Sequence, residues 1–164
     1  MKRPKTILVI VTRRIGDVLM STPLIRSLKQ AWPKALIDVL VYKNTEDILK
    51  ANQDIHRIIM TPESTGFLAS LKLLLKLIRR YDLSISTLAG DRPIFYSWVT
   101  GKSRVGLIED MNPKHLWKKL LLTDSTLLDN INTHSVLMNL KLADLLGIKR
   151  YYEITIPWEK KDEK

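Results

Sequence analysis

ILVIV at residues 7–11, running straight into TRRIGDVLMSTP at residues 12–23, is the stretch whose reading decides the fold. Ile7 to Val11 is an unbroken aliphatic run, as expected of a strand covered on both faces. Two arginines, one glycine and one aspartate then stand where that strand meets a helix. Leu24, Ile25, Leu28, Ala31 and Trp32 recur at helical spacing, and Pro33 stops that helix. A buried strand that turns directly into an amphipathic helix is the opening unit of a parallel α/β sheet.

The same alternation continues outward. LIDVLVY, 36–42, reads as a second strand, and Thr45 as the cap of a short helix, TEDILKAN. Residues 57–60 form a short third strand. Apolar residues from Phe67 to Tyr81 mark a long amphipathic helix. Strand four is read at 83–88, a helix at 92–100 ending at Gly101, and strand five at 104–108. Residues 136–146 make a last helix closed by Gly147. Tyr152 to Ile156 reads as one more short strand. The segment 109–132 is the least regular. The expectation is an α/β, Rossmann-like parallel sheet with helices on both faces, spanning 1–157, and a charged tail at 158–164.

Composition narrows the function classes. In 164 residues, 45% are hydrophobic and 27% charged, as in an ordinary globular domain. Without cysteine, thiolate metal sites and disulfides are excluded. His56, His115 and His134 lie far apart in sequence, so no metal site is expected. The net charge of +10 favours anionic partners: phosphorylated ligands, nucleic acid or an anionic membrane. Nucleic acid is disfavoured, because no aromatic-rich sheet face or reading motif is apparent. The turn after strand one is not a dinucleotide fingerprint, since Gly16 stands there without the other two glycines. A Walker loop is excluded on the same ground.

In open α/β sheets, ligands sit beyond the carboxyl ends of the strands. That rule brings Arg13 to Asp17, Leu88 to Arg92 and Ile108 to Asp110 to one edge. Asp17 is open to two readings, a helix N-cap or an acid–base group. Arg13 and Arg14 either bind phosphates or carboxylates of a ligand, or pair with Asp17 or Asp91. Asp91 and Arg92 are equally a surface ion pair ahead of Pro93. Pro23 must either kink one helix or begin a second, with Thr22 as its cap. Lys72, Lys76, Arg79 and Arg80 form a basic stripe, and LWKKL at 116–120 sets an aromatic beside lysines. Such a stripe is either a solvated face or a membrane-surface element.

Ile7 to Pro23, with Gly16, Asp17, Thr22 and Pro23, resembles the opening signature of glycosyltransferase family 9, the lipopolysaccharide heptosyltransferases. NQDIHRII, YDLSIST, SRVGL with Arg104 and Gly106, and His134 before NLKLADLLGI extend the resemblance in order over about residues 5–157. The resemblance implies the N-terminal half of a GT-B fold. It implies Asp17 as catalytic base, and acceptor contacts from Arg13, Arg14, Gly16, Thr22, Asp91, Arg92, Arg104 and His134. It also implies no resident cofactor. The nucleotide-sugar donor, ADP-heptose, would be held mainly by a C-terminal domain for which this chain has no room. The implied partners are an anionic lipid-linked saccharide and the cytoplasmic face of the inner membrane. The competing readings are a basic Rossmann-like module that binds phosphorylated ligand or nucleic acid, and a truncated product without activity.

Overall fold

The computed structural model describes residues 3–61, 67–109, 116–129 and 133–154. Six strands lie in one sheet: β1 (Thr6–Val11), β2 (Leu36–Tyr42), β3 (Arg57–Thr61), β4 (Tyr81–Ser86), β5 (Gly101–Ile108) and β6 (Asp124–Leu127). Their order is β3-β2-β1-β4-β5-β6, and each neighbouring pair is parallel. The helices are α1 (Ile15–Leu19), α2 (Thr22–Ala31), α3 (Phe67–Leu77), α4 (Asp91–Thr100), α5 (Leu116–Leu121) and α6 (Ser135–Leu145). The expected Rossmann-like sheet is thus present.

β1 sits in the middle because it is apolar on both sides. Ile7, Val9 and Val11 join Leu24, Ile25, Leu28, Met138 and Leu142 in a core under α2 and α6. Leu8 and Ile10 point the other way, packing with Leu74, Leu77 and Tyr96 of α3 and α4. The period-two alternation of a strand divides one hydrophobic run between two layers of helix.

The chain leaves β1 toward β2 and β3, then crosses back to β4 and proceeds toward β6. The reversal of direction lies between β1 and β4. Beyond the carboxyl ends of those two strands a crevice opens, as the topology requires.

Several expectations shift. Pro23 yields two helices rather than one kinked helix. Ser21 is the cap of α2, Thr22 its first residue and Pro23 its second. Proline has no N–H for the Leu19 carbonyl, and Thr22 Oγ1 donates to that oxygen instead, at 2.8 Å. TEDILKAN shortens to a 3₁₀ turn at Glu46–Leu49, where Thr45 Oγ1 donates back to the Tyr42 carbonyl and does not cap. The long helix stops at Leu77, and β4 begins at Tyr81. β5 starts directly at Gly101, without a loop after α4. The irregular segment contains α5 and β6. β6 has no hydrophobic run because it is a half-exposed edge strand of sequence DSTL. Residues 152–154 form no strand, and the rest of that expected element lies outside the described residues, as does the charged tail. Gly147 closes α6 as expected, at φ +67°, where a side chain would be strained.

Candidate functional site

The crevice at the switch point holds about 320 Å³. Thr12, Arg13 and Asp17 line it from the β1–α1 turn. Thr87, Leu88, Ala89, Gly90 and Pro93 line it from the β4–α4 turn, with Leu107 and Glu109 at the end of β5. Leu128 and the first turns of α6, through Ser135, Met138 and Asn139, close the far wall. Four strand ends therefore converge on one space.

Asp17 is the third residue of α1, not its cap; Arg14 holds the cap position without a side-chain bond. The Asp17 carboxylate is therefore not consumed in capping. Its side chain is 27% exposed and lines the crevice. Arg13, 60% exposed, brings NH1 to 3.5 Å from Asp17 Oδ1. A carboxylate and a guanidinium thus face one cavity side by side. The first can take a proton and the second can hold an anion. Gly16 lies on the exposed start of α1, and a Cβ there would meet nothing within 4 Å. The fold does not need a glycine at that position for space.

The remaining anticipated residues divide. Asp91 begins α4 at the crevice rim, and its carboxylate pairs with Lys118 Nζ at 2.9 Å. Arg14 and Arg92 lie near the same edge but do not line the crevice. His134 is the cap of α6, where its Nδ1 accepts from the Val136 N–H at 3.4 Å. That is a structural task one residue from the wall. Thr22 is fully buried beneath the α1–α2 junction and does not reach the crevice. Arg104 lies within β5, four residues before the strand's end and level with Ser84 of β4. Burial and neighbouring Arg79 hold its guanidinium below the ordinary range. It does not line the crevice.

Two residues were missed by sequence reasoning. Lys118 is 3% exposed, donates to the Ala89 carbonyl at 2.8 Å, and approaches Glu109 at 3.7 Å as well as Asp91. It ties α5 to the ends of β4 and β5 beneath the crevice. In the sequence it stands beside Lys119 in LWKKL, with nothing in its residue type to set the two apart. The available signal was its i, i+3 spacing to Leu121, which turns inward with it. Asn139, 6% exposed, donates through Nδ2 to the Met20 carbonyl at 2.9 Å and joins α6 to the end of α1. Its helical position among Met138, Leu140 and Leu142 had hidden it. The Thr12 hydroxyl is buried and has no hydrogen-bond partner among the described residues. Among those residues no group of three or more His, Cys, Asp or Glu is placed to hold a metal ion.

No family model matches the chain. Among curated proteins, lipopolysaccharide heptosyltransferase 3 of Escherichia coli strain K12 is 30% identical over 147 residues, covering 85% of this chain and 42% of that protein. A second Escherichia coli protein of the same name is 36% identical over 77 residues, 43% of this chain and 23% of its own length. Among solved structures, a family 9 glycosyl transferase from Veillonella parvula superposes with a TM-score of 0.79 at 20% identity, over 96% of this chain and 46% of that one. Escherichia coli heptosyltransferase WaaC with ADP gives 0.71 at 18%, over 91% and 51%. Escherichia coli ADP-heptose lps heptosyltransferase II gives 0.72 at 22%, over 96% and 48%. The chain spans about half the length of these relatives or less. With its sequence similarity to heptosyltransferases and their fold in its sheet and helices, the chain belongs with the heptosyltransferase-like proteins of glycosyltransferase family 9.

Proposed function

We propose that the chain is the acceptor-binding half of an inverting, metal-independent glycosyltransferase, with Asp17 as its general base. The observation that carries this reading is the Asp17 carboxylate, free of capping duty, in the switch-point crevice beside Arg13. The acceptor saccharide, of lipopolysaccharide-core type, enters the crevice with one hydroxyl directed at Asp17. That hydroxyl oxygen forms a bond to the anomeric carbon of a nucleotide-activated heptose. The bond from that carbon to the diphosphate breaks, and the nucleotide diphosphate leaves with the electron pair. The hydroxyl proton passes to Asp17. A carboxylate suffices because the hydroxyl becomes strongly acidic only as the new bond forms. Arg13 fits an acceptor phosphate or carboxylate, and the open space over Gly16 admits the sugar close to the backbone.

A donor-binding domain completes the crevice, either on a longer form of this polypeptide or on a partner. It takes ADP-heptose, which is consistent with the solved relative WaaC having been captured with ADP and with ADP-2-deoxy-2-fluoro heptose. The reaction is then placed at the cytoplasmic face of the inner membrane, where a lipid-linked acceptor is accessible. The test is Asp17→Ala in a polypeptide that also carries the donor-binding domain. Transfer is expected to fall by about 10²–10⁴-fold with acceptor binding retained. Turnover within tenfold of the parent would remove Asp17 from the base role.

A further inference from the structure

We infer that the α3–α4–α5 face of this chain is a docking surface for an anionic lipid bilayer. The three helices lie side by side on one side of the sheet, with α4 packed between α3 and α5. Inward residues of α3 and α4 fill the core around Leu74, Leu77 and Tyr96, and Leu121 of α5 packs against Ile94, Ile108 and Leu122. Their outward residues are unusual for a water-facing surface. Leu71, Leu75 and Ile78 are 40–60% exposed along α3 and its end. Phe95 and Trp98 stand out from α4, with ring centroids 5.8 Å apart. Leu116, Trp117 and Leu120 stand out from α5, and Leu120 is 82% exposed. Scattered single apolar residues are normal on a surface, but eight of them on three adjacent helices are more than scatter and mark an interaction site.

The charges on the same face identify the occupant. Lys72, Lys76, Arg80 and Lys119 are exposed between the apolar side chains. α3 and α5 contain no acidic residue, and the one acid of α4, Asp91, is paired with Lys118. Nearby, Glu109 after β5 also faces Lys118, and Asp82 of β4 pairs with Lys102 of β5, so the face is basic. Large apolar and aromatic groups set among lysines suit the interface of an anionic bilayer, which takes the first into its acyl boundary and the second onto its headgroups. A second copy is disfavoured, because a two-fold contact would set these cations against themselves.

The placement gives the surface a purpose, which alone rests on the transferase reading. Lys118 ties α5 to Ala89 and Asp91 at the crevice rim, so Leu116 and Trp117 lie close to its mouth. A saccharide carried on a lipid enters the crevice while its acyl chains stay in the bilayer.

The chain is mixed with sedimentable vesicles of phosphatidylcholine alone, or with phosphatidylglycerol added. Pelleting is expected with the anionic vesicles only, and it weakens as salt is raised. The pair Trp117→Glu and Leu120→Glu should lower the bound fraction about tenfold. Lys72→Glu with Lys76→Glu should lower it by about fivefold or more per lysine. Lys34→Glu, an exposed lysine before β2, makes the same charge change off this face and should have a much smaller effect. Unchanged circular dichroism spectra and melting curves verify that each variant is folded. The proposal is overturned by absence of anionic-vesicle binding, or by face variants that bind like Lys34→Glu. A lipid-free dimer dissolved by Leu120→Glu would overturn it in favour of a second copy. Binding of a soluble core saccharide to the crevice is measured in parallel, so failure of the membrane surface is distinguishable from failure of the transferase reading.

Discussion

Replacing Asp38 by asparagine perturbs a buried charge bonded to three other side chains. Asp38 lies on β2 near the amino-terminal edge of the sheet, and its side chain is 5% exposed. Oδ1 lies 2.9 Å from His56 Nδ1. Oδ2 accepts from Arg57 NH2 at 2.6 Å, Arg57 Nε at 3.2 Å and the Tyr81 hydroxyl at 2.6 Å. Burial pushes this carboxyl up, but the bonds from Tyr81, His56 and Arg57 outweigh it and leave it below its ordinary value. Burial together with the Asp38 contact also pushes the Tyr81 phenol well up. Asparagine keeps the shape and one accepting oxygen, so no cavity forms. What is lost is the charge assistance, which roughly doubles such bonds. His56 and Arg57 are about half exposed and recover hydration, which lowers the cost. The expected destabilisation at neutral pH is about 2 kcal/mol, or about 4–8 °C in Tm.

The pH dependence sharpens that test. A carboxyl with a lowered folded-state pKa binds its proton less readily when folded than when unfolded. Its stabilisation is complete above the unfolded value, close to 3.8, and is lost as pH falls through the lower folded value. Urea unfolding of the parent and Asp38→Asn is therefore compared at about pH 7, 5 and 3. The gap should hold between the first two and shrink at the third. Equal urea midpoints at neutral pH, or a gap that widens on acidification, would refute the reasoning.

Lys118→Met keeps the aliphatic stem but strands the buried Ala89 carbonyl. It should cost about 1–2 kcal/mol in urea unfolding, since the exposed Asp91 partner contributes little. Gly16→Ala should raise stability by about 0.5–1 kcal/mol, because the added methyl has open space and alanine favours the helix. The same substitution should weaken binding of a core saccharide in calorimetric titration. Unaltered binding would mean that the acceptor does not approach this backbone.

The architecture was legible because burial and periodicity are local signals. The five-residue aliphatic, largely β-branched run of β1 reads as a strand covered twice, and alternation of strands with helices argues for parallel crossovers. Asp17, Arg13 and Gly90 could be assigned to one edge, since every strand of a parallel sheet ends on the same side. β6 was not legible, because an edge strand buries too little to need an apolar sequence.

The residues of the chain were enough to specify which groups meet at the sheet's carboxyl edge, for that follows from strand direction alone. They were not enough to specify which of those groups face the crevice. Thr22 and Asp17 are five residues apart, yet one is sealed under the Leu19 carbonyl and the other opens to the cavity. Lys118 and Lys119 are adjacent, yet one is buried against Ala89 and the other is exposed. Each difference is set by the turn of a short helix against elements distant in the chain, and local spacing, such as that of Lys118 to Leu121, does not by itself fix that packing.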